Sequence, residues 1–172
     1  MGWLMAGVLA LAGCSKKLDM PRVKSEIEAG IEKQAGVSVL WVECPVSRKA
    51  LPGDRFECRA GIEGGAVTVD IVQDEYANAK WTQRERLLER AGIEDTIQRG
   101  LAHNAGIEAT VACPIAVVVA VPGSRFSCQA TRSRNLPSFE IAVVIKDTGG
   151  QIDWSVPATV FEAKAAAPPR KK

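Results

Sequence analysis

Five cysteines are the residues of this 172-residue chain whose types and spacing indicate chemistry most directly. Four of them form two matching frames, each of which opens with Cys-Pro and closes with Phe-x-Cys. The frames run from Cys44 to Cys58 and from Cys113 to Cys128. Thiols paired in this way form disulfides, bind a metal ion or act as a redox couple. The fifth, Cys14, follows an apolar segment, a position typical of a covalently modified thiol.

The N-terminal segment has the features of a secretion signal. Residues 1–13 are apolar, yet they are fewer than the roughly 20 that a membrane-spanning helix needs. The segment ends in Leu-Ala-Gly-Cys at residues 11–14, which resembles the lipobox of bacterial lipoproteins. That resemblance implies cleavage before Cys14, a lipid on its sulfur and a lipidated tether at residues 14–17. The alternative is a buried apolar helix.

The predicted location is the cell envelope. Two or more acyl chains on one cysteine anchor a protein stably to a membrane, whereas a single chain does not. Ser15 follows the cysteine, and this resembles the context that sorts lipoproteins to the outer membrane of a Gram-negative cell. There we expect the protein to face the periplasm or the cell surface.

Self-similarity predicts a duplicated module. Gly36 and Gly106 are 70 residues apart, the two Phe-x-Cys motifs share that offset, and the two Cys-Pro dipeptides are 69 apart. A repeat of this length indicates two copies of one structural unit. We place the first module at residues 18–82 and the second at 83–160. Residues 161–172 have no apolar period and are predicted to form a disordered basic tail.

Each copy begins with a segment in which apolar residues recur at helical spacing. These residues are Val23, Ile27 and Ile31 in the first copy and Ile93, Ile97 and Leu101 in the second. Asp19 is a candidate N-cap for the first helix, and Thr82 with Glu85 predicts a capping box for the second. Gly30 and Gly100 lie inside the helices, where glycine costs about 1 kcal/mol, so we expect each helix to approach its sheet closely.

The segments after the helices alternate between apolar and polar residues. Phe56, Cys58 and Ala60 share one face of a predicted strand, and the charged residues between them share the other. This period of two is typical of a half-buried antiparallel sheet. The predicted fold is therefore α+β, with two tandem modules that each pack one helix on a four-stranded antiparallel sheet and contain one disulfide.

Four cysteines permit three disulfide connectivities. Export to an oxidising compartment makes disulfides the default state of these thiols. Duplication favours Cys44–Cys58 and Cys113–Cys128, since each module then carries its own crosslink, worth about 3 kcal/mol for a loop of about 15 residues. A zinc site needs cysteines closer together than these, and the chain contains no Cys-x-x-Cys motif for a redox site.

The motifs also match a known family. In the first copy they are Leu18-Asp19, Val23, Ile27, Gly36-Val37, Cys44-Pro45, Pro52-Gly53 and Phe56-Glu57-Cys58. In the second they are Ile93, Gly106-Ile107, Cys113-Pro114, Pro122-Gly123 and Phe126-Ser127-Cys128. This pattern resembles the secreted bacterial domain of unknown function 4333. The resemblance implies an exported protein or lipoprotein and brings no established activity. In architecture alone, the tandem plan also resembles beta-lactamase-inhibitor-like proteins.

We expect no catalytic site, no cofactor and no metal. His103 is the only histidine, and its equivalent in the first copy is Lys33. Both are predicted in the last turn of a helix, where a cation complements the helix dipole. The serines have no nucleophile-elbow context, and no phosphate-binding loop or dinucleotide motif occurs.

The two copies differ most between their paired cysteines. Residues 46–51 include Arg and Lys, whereas residues 115–121 are wholly apolar. The candidate partner surface consists of Ile115, Val117, Val118, Val119 and Val121. The alternative is that this segment packs between the modules or against the core, because monomers seldom expose large apolar patches.

The predicted function is that of a membrane-anchored envelope lipoprotein that acts as a non-enzymatic binding module. We expect it to contact the membrane through the lipid on Cys14 and to bind an unidentified envelope protein. A net charge of +2 with scattered Lys and Arg makes nucleic acid an unexpected partner. The alternatives are an inhibitor of an exported enzyme and a cell-wall attachment protein that uses the basic residues 170–172.

Overall fold

A computed structural model describes residues 16–132 and 136–160. The helices are α1 (Met20–Ala35) and α2 (Arg90–Gly100), and a π-helical turn (Leu101–Ala105) extends α2. The strands are β1 (Trp41–Glu43), β2 (Arg55–Ile62), β3 (Gly65–Gln73), β4 (Ala79–Gln83), β5 (Leu87–Glu89), β6 (Ala109–Ala112), β7 (Val117–Val119), β8 (Arg125–Arg132), β9 (Phe139–Ile145) and β10 (Ile152–Ser155). The predicted signal segment, the lipidation site Cys14 and the tail at 161–172 lie outside the described residues. Neither described helix is long and apolar enough to cross a membrane.

Antiparallel sheets form the body of the protein. The first sheet has the order β1-β2-β3-β4, and the second has the order β6-β8-β9-β10. A further ladder of two strands joins β5 to β7. The predicted α+β class, with antiparallel strands and two disulfides, is confirmed. The prediction did not foresee the β5–β7 ladder.

Two apolar cores form, one between α1 and the first sheet and one between α2 and the second. Alternate residues of the central strands supply the sheet side, as the burial of Val67, Val69 and Ile71 along β3 illustrates. We call residues 16–83 the first half of the described chain and residues 84–160 the second half.

The helices begin in different ways. Asp19 accepts a hydrogen bond from the backbone N–H of Arg22 at 3.1 Å, so the predicted N-cap of α1 is confirmed. The capping box predicted for the second helix is wrong. Thr82 lies in β4, and the carboxylate of Glu85 accepts a hydrogen bond from the N–H of Thr68 in β3 at 2.6 Å. Glu85 therefore extends the first sheet and caps no helix.

Each helix approaches its sheet at a glycine, as predicted. A Cβ built on Gly30 lies 2.2 Å from Cζ2 of Trp81, and one built on Gly100 lies 2.4 Å from Cζ2 of Trp154. Both distances are far below van der Waals contact. The indole rings therefore occupy the space that a side chain at these positions would need.

The disulfides join Cys44 to Cys58 and Cys113 to Cys128. This is the connectivity that duplication favours. Each bond ties the segment after the sheet's first strand to the centre of its second strand, and Cys58 and Cys128 are buried. The crosslinks thus brace the loops that precede β2 and β8.

Candidate functional site

The apolar segment between Cys113 and Cys128 forms the joint between the two halves. Its strand β7 pairs with β5, and Leu87, Leu88 and Glu89 lie opposite Val119, Val118 and Val117. Side chains alternate in direction along a strand. Val117 and Val119 accordingly join the core of the first half, whereas Val118 and Ala120 join the core of the second.

The joint rests on the tip of the β2–β3 hairpin. The N–H of Val119 donates to the carbonyl oxygen of Gly64 at 3.2 Å. A Cβ built on Gly64 lies 1.7 Å from the carbonyl oxygen of Val117, so only glycine permits this approach of the two backbones. The neighbouring Gly65 has φ +133°, and its Cβ position faces Val119 at 3.3 Å.

This arrangement corrects the prediction of a partner surface. The structure buries Val117, Val118 and Val119, the most exposed of which retains 6% of its surface. Ile115 is half-buried against the second core, and Val121 is 39% exposed at the end of the segment. The segment packs between the halves because its alternate side chains fill two cores at once, which leaves the three central valines unavailable to a partner of the folded protein.

A matching ladder occurs at the start of the first half. Lys17 and Lys49 form an antiparallel bridge, and both are 70 residues before the bridged pair Leu87 and Val119. The hydrogen bonds match too. The N–H of Ala50 donates to the carbonyl oxygen of Lys16 at 2.8 Å, and the N–H of Ala120 donates to that of Arg86 at 2.9 Å.

The two ladders differ in the polarity and exposure of their residues. In the second half, Leu87 and Val119 pack against the first core, whereas in the first half Lys17 and Lys49 are exposed. We call the exposed residues Lys16, Lys17, Lys49 and Tyr76 the basic end. Lys16, Lys17 and Tyr76 border a cavity of about 320 Å³ between the start of α1 and the β3–β4 turn. Tyr76 is 78% exposed.

The turn that presents Tyr76 is held by one carboxylate. Asp74 accepts hydrogen bonds from the backbone N–H groups of Asn78 at 2.8 Å and of Tyr76 at 3.0 Å. These bonds, above all the one from Asn78, lower the pKa of Asp74 below its usual value. They also hold Ala77 in the left-handed region at φ 62°. Asp74 is therefore committed to the turn.

A buried amide fixes the loop that carries Lys49. The Gln73 side chain donates to the carbonyl oxygen of Lys49 at 2.9 Å and accepts from the N–H of Leu51 at 2.9 Å. Arg48 donates to both carboxylate oxygens of Asp54 at 2.9 Å and stacks 5.2 Å from the Phe56 ring centroid. Side-chain hydrogen bonds thus fix the position of the loop that carries Lys49.

Replacing Gln73 with isoleucine tests this amide, because Ile145 occupies the matching place at the end of β9. We expect the free energy of unfolding to fall by about 2–4 kcal/mol, since the carbonyl of Lys49 and the N–H of Leu51 each lose a buried partner. Denaturant unfolding measures the change. The control is Gln83→Met, because no described residue donates to the buried Oε1 of Gln83. A loss for Gln73→Ile no larger than for the control would contradict the role of the amide.

The outer face of the first sheet carries an ionic cluster. Arg84 donates to Asp70 and to Glu57, and these two carboxylates raise the pKa of its guanidinium. All three side chains are largely exposed, so the cluster adds little stability. The cluster makes this part of the outer face hydrophilic.

An exposed hydrophobic pair lies at the edge strand β1. Trp41 is 43% exposed and packs over Gly61, whose Cβ position lies 2.2 Å from the indole ring. Leu40, which precedes it, is 67% exposed, and its N–H donates to the carbonyl oxygen of Gly61 at 2.7 Å. We call Leu40 and Trp41 the hydrophobic edge. Sequence reasoning missed it, although a glycine inside a strand, such as Gly61, signals close approach by a neighbour.

His103 lies in the π-helical turn and is exposed there. Over residues 16–132 and 136–160, no group of three or more His, Cys, Asp or Glu residues is arranged to hold a metal ion.

Comparison with known proteins relates the first half to a protein family. The family model of the Domain of unknown function (DUF4333) matches residues 4–76, a range that contains α1, the strands β1 to β3 and the first disulfide. The resemblance to this domain is confirmed over that range. No curated protein and no solved structure matches the chain.

Proposed function

We propose that this chain is a lipid-anchored envelope protein that acts by binding another protein at the hydrophobic edge. The observation that carries the proposal is Trp41, which is held against the sheet by Gly61 and still exposes 43% of its surface. Tryptophan is enriched among the residues that dominate binding energy at interfaces. A preformed position also reduces the ordering cost that a partner's binding must offset.

The two disulfides support an extracytoplasmic site of action, because such bonds persist in oxidising compartments. The lipobox-like residues 11–14 support an anchor at the start of the chain. Together they support the proposal that the binding surface acts in the cell envelope, on a domain that a lipid holds at the membrane.

The same proposal treats the two halves as duplicated modules. The matching ladders, the matching Gly30–Trp81 and Gly100–Trp154 contacts, and the two disulfides support it. The modules have diverged in role. The ladder of the second is apolar and forms the joint, whereas the hydrophobic edge occurs in the first. The position that matches Trp41 is Thr110, because Trp41 pairs with Gly61 as Thr110 pairs with Thr131.

Photocrosslinking in the native host tests this function. A photoreactive amino acid at Leu40 is expected to capture one dominant envelope protein, and the same amino acid at Thr110 is expected not to capture it. Capture of this protein is expected to be lost when Trp41→Ala is combined with the photoreactive amino acid at Leu40. Equal capture from both positions would contradict a binding role for the hydrophobic edge.

Trp41→Ala is further expected to weaken binding of the captured partner at least about tenfold, as hot-spot tryptophans do. Calorimetry with the purified partner measures this affinity. The melting temperature is expected to fall by only a few degrees, since the ring is partly exposed. Thr110→Ala is the matched control and is expected to bind as the wild type does. Unchanged affinity in Trp41→Ala would remove the hydrophobic edge from the interface. If the captured protein is an enzyme that the chain inactivates, the inhibitor alternative gains support.

A further inference from the structure

We propose that the basic end is a contact surface for anionic lipid headgroups, which holds the first half against the membrane that the lipid on Cys14 enters. The inference rests on the proposed lipid anchor and adds a second, electrostatic attachment to it. It assigns a role to Lys16, Lys17 and Lys49, which the proposed protein-binding edge does not use.

Comparison of the two ladders gives the first argument. In the second half, the outward side of the ladder is a docking surface, and the hairpin tip at Gly64 and Gly65 fills it. In the first half, the same side carries Lys17 and Lys49 in place of Leu87 and Val119. Burying lysine against a hairpin tip would strand its charge, so an apolar protein surface does not fit there. An anionic surface does.

Distance along the chain gives the second argument. Lys16 comes two residues after Cys14, and two extended residues span at most about 7 Å. The Debye length is about 8–10 Å at physiological ionic strength. A lipid on Cys14 therefore places Lys16 within the range where an anionic leaflet attracts cations, and the bridged pair Lys17 and Lys49 is next to Lys16 in the fold.

Ion pairs with carboxylates do not neutralise the lysines of the basic end among the described residues. Among the described residues, no carboxylate lies within ion-pair distance of Lys16, Lys17 or Lys49, although nearby acids do form pairs. Glu26 pairs with Arg22, and Asp54 pairs with Arg48. Lys16, Lys17 and Lys49 are therefore exposed and without an ion pair among the described residues, and Lys16 is the described residue nearest to Cys14 in the sequence.

Tyr76 adds an interfacial group. It is exposed on the turn that borders the same cavity as Lys16 and Lys17. Tyrosine is enriched at membrane–water interfaces, because its ring is apolar and its hydroxyl is polar. A basic surface beside an exposed tyrosine is suited to the headgroup layer.

Vesicle binding by a lipid-free chain tests the inference. The protein is residues 14–172 with Cys14→Ser, which retains both described cores. It is expected to sediment with vesicles of phosphatidylcholine and phosphatidylglycerol, and not with phosphatidylcholine alone, at low salt. A lysine near an anionic surface contributes about a fivefold factor in partitioning. Lys17→Gln with Lys49→Gln is therefore expected to lower the partition coefficient roughly 25-fold.

The control removes the same charge elsewhere. Lys33→Gln with Arg59→Gln neutralises two exposed cations, one at the end of α1 and one on the outer face of β2, and is expected to change partitioning less than about threefold. Circular dichroism verifies that both variants are folded. Equal losses in the two double variants would overturn the inference, because net charge alone would then explain the binding. Preference for a soluble cell-wall polyanion over the vesicles would overturn the lipid assignment.

Failure of the anchor is measured separately. The intact mass of wild-type protein extracted from membranes is expected to include a diacylglyceryl group on a chain that begins at Cys14. An unmodified Cys14 overturns the proposed anchor whatever the vesicles show. If the lipid-free chain binds vesicles with and without phosphatidylglycerol equally, the proposed role of the basic end is overturned. The proposed lipid anchor is unaffected by that result.

Discussion

Replacing Gly64 with alanine is expected to lower the free energy of unfolding by more than about 3 kcal/mol. The new Cβ would lie 1.7 Å from the carbonyl oxygen of Val117 and 2.7 Å from its carbon. Both atoms belong to the backbone of β7, so no side-chain rotation relieves the clash. Urea unfolding of the full chain, followed by circular dichroism, measures the loss.

The same variant is expected to uncouple the two halves. In the wild type, β7 supplies side chains to both cores, so we expect one cooperative unfolding transition. Displacing β7 from the hairpin tip removes Val117 and Val119 from the first core, and two transitions are then expected. The control is Gly92→Ala, which meets no atom within 4 Å. A single transition with unchanged midpoint in Gly64→Ala would show that the joint is not needed for stability.

The second large effect concerns the helix glycines. Gly30→Ala and Gly100→Ala are each expected to cost about 2–4 kcal/mol of unfolding free energy, although alanine favours a helix by about 1 kcal/mol over glycine. The cause is steric, since the new methyl groups would overlap the rings of Trp81 and Trp154. Thermal unfolding gives the stability, and near-ultraviolet circular dichroism reports the displaced indole.

Two comparisons isolate this cause. Gly92→Ala also lies in a helix but in open space, so it is expected to raise stability by up to about 1 kcal/mol. Trp81→Leu is expected to relieve much of the cost of Gly30→Ala, and a double-mutant cycle measures that coupling. Additive losses in the cycle would mean that the ring is not the obstacle.

Much of the fold is predictable from the sequence because local and repeated signals agree. The glycines inside the helices predict close approach, and Trp81 and Trp154 provide it. The spacing of the cysteines predicts one crosslink for each frame, and both form. These features depend on local sequence patterns or on the internal repeat. Both kinds of signal can be recognised in one sequence.

Packing of the apolar segment between the modules was one of the two interpretations of the sequence, but its pairing with β5 could not be predicted because a run of valines has no period. Residues 115–121 lack the alternation that distinguishes a strand with one buried face, since β7 is buried on both. The capping box failed for a related reason. Glu85 sits at helix-cap spacing from Thr82, but the N–H of Thr68 competes for its carboxylate across the sheet.

The candidate sites depend on tertiary neighbours. Arg48 and Lys49 distinguish residues 46–51 from the apolar segment of the second copy, but the sequence did not indicate that Lys49 pairs with Lys17. The exposure of Trp41 follows from its place on an edge strand, and no local pattern distinguishes an edge strand of three residues from a central one.

The joint brings together two different surfaces, a hairpin tip and a strand ladder, and this asymmetry affects how copies of the chain could assemble. The hairpin tip of the first half receives the ladder of the second, whereas the ladder of the first half is exposed. A head-to-tail contact of this kind does not close on itself and, repeated between molecules, builds a filament. Lysines at positions 17 and 49 block one end. We therefore expect these lysines to keep the chain from stacking head to tail into a fibre, because burying them in such a contact would leave their charges unpaired.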